Sequence, residues 1–250
     1  MARTRHHHRR RRGRFSGLLK LFGILVAIAA VVAAVTLFFR MDYIVVSGNE
    51  RYSEQEVLAA SGLETGGNLY FLNKFDVKET IFAQLPYVEE VKINRKLPDT
   101  LLIEVRECKA VAAVESDGGV WHISDAGKLL EETDAPPEGC PRIAGVPLVD
   151  PAPSQTMDFG EDAAYRAGVV LTLLAEAEER GMRDKIGVVD MSDDTALSFT
   201  YLDRFAVRVP WTADIGYKLD GLAYAAEQLE SNETGRIDLM TDGKVSFIPE

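Results

Sequence analysis

The chain has 250 residues, 28 of them Lys or Arg and 39 Asp or Glu, with two cysteines and four histidines. The charge is divided: residues 1–40 hold nine basic and no acidic side chains, which leaves 19 basic against 39 acidic from residue 41 onward. So acidic a body excludes capture of nucleic acid or anionic lipid through bulk charge. Two cysteines do not make a disulfide scaffold, although a bond between Cys108 and Cys140 stays open to an exported chain.

Leu21 to Phe39 is a 19-residue run without charge or proline. As a helix it spans about 28 Å, close to the hydrocarbon thickness of a bilayer. Twelve of its residues are Leu, Ile, Phe or Val, and together they favour insertion by roughly 4–7 kcal/mol. A cleaved signal peptide would have a shorter apolar run and small residues at its end; here Phe38-Phe39-Arg40 closes it, which favours an uncleaved anchor. Arg3, Arg5, Arg9 to Arg12, Arg14 and Lys20 precede the run, so residues 1–20 are expected to be a cytoplasmic tail, 21–40 the membrane anchor, and the remainder extracytoplasmic. His6 to His8, set among arginines, make a poor metal-ligand set.

Past the anchor, Tyr43 to Val46 reads as a strand ended by Ser47-Gly48-Asn49. Ser53 with Glu56 forms a capping box for a short helix that Gly62 closes. Gly48 and Gly62 both sit where a positive φ is cheap only for glycine. After the turn Gly66-Gly67-Asn68 comes the apolar Leu69-Tyr70-Phe71-Leu72, then a helix over about 76–84 with Val77, Ile81 and Leu85 on one face. Two strands follow, one containing Val88, Val91 and Ile93, the other Leu101, Ile103 and Val105, joined at Leu97-Pro98-Asp99. The order β-α-α-β-β over residues 41–108 can bury one shared face.

From residue 109 to 250 the texture changes to short strands: 111–114, 120–123 and 128–130, with turns at Asp117-Gly118-Gly119 and Asp125-Ala126-Gly127. A Pro-rich loop covers 135–153. A helix is expected over Glu161 to Arg180, strands over 186–191, 197–201 and 205–209, a helix over 215–229, and a last hairpin of 237–240 with 245–248 around Asp242-Gly243. The fold class is thus α+β: a transmembrane helix, a β-α-α-β-β domain, then a mainly antiparallel sheet with two helices on one face.

Catalytic signals are sparse. His122 alternates with Trp121 and Ile123, as a satisfied strand residue does, and no nucleophile elbow, zinc spacing or Gly-rich phosphate loop accompanies it. Asp193-Asp194 and Glu178-Glu179 read as solvated charges; a hydrolase would need a carboxylate pair such as Asp190 and Asp193. No cofactor or metal is expected, and the weight moves toward a binding or scaffold role.

Single anchor, YIVVSGNERYSEQEV, GGNLYFLN, LPYVEEVKINRKLPDTLLIEVRE, and late DIGYKLDGLAYAAEQL with GRIDLMTDGKVSFIP: in this order the segments resemble the FtsQ/DivIB family of bacterial division proteins. The matching positions are Val46 to Asn49, Ser53 to Val57, Gly66 to Leu69, Leu85 to Val88 and Arg95 to Glu107. The resemblance implies a POTRA domain over 41–108 and a β domain over 109–250. It further implies a non-enzymatic divisome scaffold, single-pass with a cytoplasmic N-terminus, at the septum. The partners it implies are FtsL-type and FtsB/DivIC-type bitopic coiled-coil proteins, the bilayer and a septal synthase complex. A membrane-anchored wall-binding module or hydrolase is the alternative from another class. The final hairpin carries Ile237, Leu239, Val245, Phe247 and Ile248, and only Pro249 and Glu250 follow, so its outer edge is expected to be open to an added strand. The matching family segment is where FtsB or DivIC is held. The second candidate is the edge near Leu101 to Val105.

Overall fold

The computed structural model describes residues 13–116 and 118–249. The expected tail arginines from Arg3 to Arg12, His6 to His8, Asp117 of the expected turn, and Glu250 lie outside the described residues. Helix α1 covers Gly13–Phe38, and its stretch Gly17–Thr36 is apolar and unburied by the rest of the chain. A 20-residue apolar helix with no side buried by the rest of the chain fits a membrane span in length and composition.

The next elements are β1 (Tyr43–Ser47), α2 (Glu54–Ser61), α3 (Lys74–Gln84), β2 (Val88–Lys96) and β3 (Thr100–Glu107). Ser53 accepts from the Glu56 amide while the Glu56 carboxylate accepts from the Ser53 amide, so the expected capping box starts α2; Gly62 closes it at φ +64. Asn73 caps α3 through the Phe75 amide at 3.1 Å. The strands assemble in the order β1-β3-β2, with β1 parallel and β2 antiparallel to β3. Alternate residues Val91, Ile93, Leu101, Ile103 and Val105 turn inward against Val57, Val77 and Ile81. Each such side chain, removed from water, contributes roughly 1.5–3 kcal/mol before entropy is charged. This arrangement corrects one expectation: Leu101 to Val105 belongs to the central strand, paired on both sides, and has no free edge.

The second sheet contains β4 (Ala112–Ser116), β5 (Gly119–Ile123), β6 (Leu129–Thr133), β7 (Arg142–Ala144), β8 (Ile186–Asp190), β9 (Ala196–Tyr201), β10 (Phe205–Pro210), β11 (Gly235–Asp238) and β12 (Ser246–Pro249). Helices α4 (Ala164–Glu179) and α5 (Ile215–Gln228) accompany it. The strand order is β12-β11-β10-β9-β8-β7-β4-β5-β6. The sheet is mainly antiparallel, as expected, but not purely so: β4/β7, β7/β8 and β10/β11 are parallel pairs. The reason is connectivity: β7 reaches β8 through α4, and β10 reaches β11 through α5, and a crossover helix returns the chain in the same direction. The two helices touch through Arg180 and Asp220 at 2.7 Å, and Leu173, Leu174, Leu219 and Leu222 pack with Phe199, Phe205, Val207 and Ile237 in one core. Cys108 and Cys140 are free thiols.

Candidate partner interface at the terminal strands

The two ends of the nine-stranded order differ. At the β6 end the loop that follows folds back over the edge: the Leu129 amide donates to the Gln155 carbonyl at 2.7 Å and the Ser154 amide to the Leu129 carbonyl at 2.8 Å. At the other end β12 pairs with β11 on one side and, among the described residues, with no strand on the other. Half of the backbone donors and acceptors of such an edge strand point outward.

Register decides which side chains a partner can reach. Ile237 lies opposite Phe247, and Arg236 opposite Ile248. Ile237 and Leu239 are buried in the core, where a partner meets them only through the strand they shape. Phe247 is half-buried and meets the Phe205 ring edge-on at 6.0 Å. Val245 is exposed, and Ile248 keeps 51 % of its surface open. The five residues therefore divide into three that carry or border the core, then Val245, which is partly exposed beside Gly221 of α5, and Ile248, which faces outward.

Alternation puts Ile248 and Arg236 on the sheet face away from the helices, and there a groove of about 530 Å³ runs over Ser198, Thr200, Ala206, Arg208 and Arg236. Asp190 and Asp193 line it too. Both carboxylates are already engaged: Asp190 accepts from the Ser192 amide at 2.8 Å, and Asp193 meets Arg208 at 2.8 Å. The Thr195 hydroxyl and amide, and then Arg208, hold the Asp193 carboxyl below the usual carboxylate range. Asp193 is thereby held in its ionised form, unlike the raised acid of a glycosidase. His122 contacts the Ala135 carbonyl and the Thr133 hydroxyl through Nε2, both at 3.0 Å. No group of three metal-ligating side chains stands together among the described residues.

Lys218 was missed by the sequence reading. Only 4 % exposed, its Nζ donates to the Leu239 carbonyl at 2.8 Å and the Thr241 carbonyl at 3.2 Å, and lies 2.8 Å from the Asp242 carboxylate. It thereby ties α5 to the connection that delivers β12. The signal was present: Lys218 interrupts the apolar stripe Ile215, Leu219, Leu222, Ala226 of α5.

Among the described residues one apolar helix is long enough to cross a membrane, and the three-stranded β-α-α-β-β unit that follows it has the build of a POTRA domain. The profile of the POTRA domain, FtsQ-type, matches residues 39–107. Cell division protein DivIB of Clostridium botulinum strain Hall is 32 % identical over 197 residues, covering 78 % of this chain and 70 % of the relative. Cell division protein FtsQ of Corynebacterium glutamicum is 30 % identical over 170 residues, 68 % of this chain and 71 % of the relative. Cell division protein FtsQ of Geotalea daltonii is 26 % identical over 237 residues, 87 % and 82 % of the two chains. The chain belongs to the FtsQ/DivIB family of cell division proteins.

Proposed function

We propose that the protein is a non-enzymatic scaffold of the division machinery that joins FtsL-type and FtsB/DivIC-type bitopic proteins, and a septal synthase complex, to regulate septal peptidoglycan synthesis. In this reading residues 1–20 are cytoplasmic, 21–40 cross the membrane, and a POTRA domain (41–108) and a β domain (109–250) stand outside it at the septum. The division role is supported by the relatives' names, and the orientation by the charge step between residues 1–40 and 41–250.

The observation that carries the partner site is the open edge of β12 with Ile248 beside it. A strand from the partner adds to β12 through main-chain hydrogen bonds, and Val245, Phe247 and Ile248 supply the side-chain contacts. Co-purification of the full-length protein with its bitopic partners from native membranes tests this. Ile248→Glu places a charge on the outward face without opening the core, and is expected to weaken capture at least tenfold, about 1.4 kcal/mol. Unchanged capture by a folded Ile248→Glu protein removes β12 as the site. Turnover of peptidoglycan by the purified protein would favour the hydrolase instead.

A further inference from the structure

The apolar loop Leu69-Tyr70-Phe71-Leu72 is held at the outer end of the membrane helix by a set of hydrogen bonds. Asn68 Nδ2 donates to the Val35 and Thr36 carbonyls at 3.2 and 3.4 Å, in the last turn of the apolar span. The Leu69 amide donates to the Phe39 carbonyl at 3.0 Å, and the Met41 amide to the Gly67 carbonyl at 2.7 Å. From the other side Arg95 of β2 donates to the Leu69 carbonyl at 2.5 Å and the Leu72 carbonyl at 3.1 Å. The loop is thus clamped between α1 and the POTRA sheet, with Leu69 fully buried as its inner anchor.

Its outer side chains are large and open. Tyr70 is 47 % exposed, Phe71 73 %, and Phe75, in the first turn of α3, 65 %. Tyr70 meets Phe39 edge-on at 4.8 Å. Single exposed aromatics are ordinary on a protein surface; three within six residues, on a loop bonded to the end of an apolar span, are not scattered. Phe71 follows Asn68 by three residues, so its backbone lies at most about 11 Å from that of Asn68, whose side chain is bonded to Thr36. The polar layer outside the hydrocarbon is roughly 5–8 Å deep in each leaflet, and the loop, bonded at Asn68 to the last turn of the apolar span, begins at its inner side.

We infer that Tyr70, Phe71 and Phe75 form a lipid-contacting patch that seats the POTRA domain in the outer headgroup layer. The phenol of Tyr70 suits the wet side of that layer and the two phenyl rings the acyl boundary, the distribution that aromatic belts show. With two points of attachment, the helix and the patch, the POTRA domain keeps a fixed tilt over the membrane and does not swing on residues 40–42. The inference rests on α1 spanning the bilayer, which co-elution of the unsubstituted full chain with nanodiscs tests by itself.

The patch is tested in nanodiscs of phosphatidylethanolamine and phosphatidylglycerol with the full-length Phe71→Trp protein. Resident Trp121 and Trp211 are both buried in the β-domain core, and the unsubstituted protein supplies their background. The added emission is expected to be lost when the acyl chains are brominated, as is that of Phe75→Trp, while Tyr224→Trp on the exposed face of α5 keeps its emission. Phe71→Trp and Phe75→Trp emission unchanged by bromination overturns the proposal. Quenching in the lone protein that disappears when the bitopic partners are added assigns the patch to a partner helix and also overturns it.

Discussion

At Gly48 the backbone has φ +80, and a Cβ there would stand 2.2 Å from the Val105 carbonyl oxygen of β3. Gly62 has φ +64 but nothing within 4 Å of the same position. Gly62→Ala is therefore expected to cost about 1–2 kcal/mol, the left-handed penalty alone. Gly48→Ala adds overpacking of roughly 1–3 kcal/mol, because β1 must move off β3. Urea unfolding of the two variants checks the order, and equal midpoints would refute it. Both glycines could be read from the sequence since each ends a local apolar element, as could the Ser53 and Glu56 box. Glu107 could not: its carboxylate accepts from the amides of Glu50, Arg51 and Tyr52 at 2.6–3.2 Å, across more than fifty residues. Tyr87 is a second non-local case. Burial, and then the bond its hydroxyl donates to Glu131 at 2.6 Å, push the phenol above its ordinary pKa. A raised value favours the neutral form, so the stabilisation is full below the unfolded pKa of about 10 and is lost as pH climbs through the folded one. The parent protein is expected to lose more stability above that pH than Tyr87→Phe, measured by urea midpoints across an alkaline series.

At the scale of elements, most strands and helices lie within a few residues of their sequence-read bounds, because period-2 and period-3.6 patterns are local. The exceptions are instructive. β7 is only Arg142–Ala144 inside a Pro-rich loop, too short to show alternation, yet it joins the two halves of the long sheet. Parallel pairing at β4/β7, β7/β8 and β10/β11 was unreadable for another reason: a strand's own pattern reports which faces are buried, not which strand lies beside it. The terminal pair illustrates the limit, since Ile237, Leu239 and Phe247 were recognisable as apolar but their inward direction depends on the β10/β11/β12 register. Lys218 is the element-scale lever on that pair. Lys218→Met fits the same space but leaves the Leu239 carbonyl without its donor, a loss of about 1–3 kcal/mol. Amide exchange is expected to quicken at β12 before anywhere else in the sheet. Uniform slow exchange across β11 and β12 in the variant would show that the lysine does not hold them.

Across the whole molecule, the step from a basic head to an acidic body and the β-α-α-β-β order were legible, whereas the junction of the two sheets was not. That junction is built from pairs with no sequence signal: Arg51 and Tyr87 on Glu131, Lys128 Nζ on the Val88 carbonyl at 2.8 Å, and Ser154 Oγ on the Phe82 carbonyl at 2.6 Å. It also decides how orientation in the membrane should be measured. Cys108 and Cys140 look convenient for an impermeant thiol reagent, but both are half-buried and sit against the carbonyls of Tyr87 and Ala110. Burial pushes both thiols above their ordinary pKa, so little reactive thiolate is present near neutrality. A cysteine at position 224 avoids this, since Tyr224 is largely exposed on α5. Tyr224→Cys is expected to react from outside in intact cells, or in spheroplasts where a wall or outer membrane intervenes, at a rate well above that of the native cysteines. The native pair should react at that rate only after denaturation. Labelling of Tyr224→Cys confined to lysed cells would put the acidic body in the cytoplasm, and with it the open β12 edge on the wrong side of the membrane for a septal role.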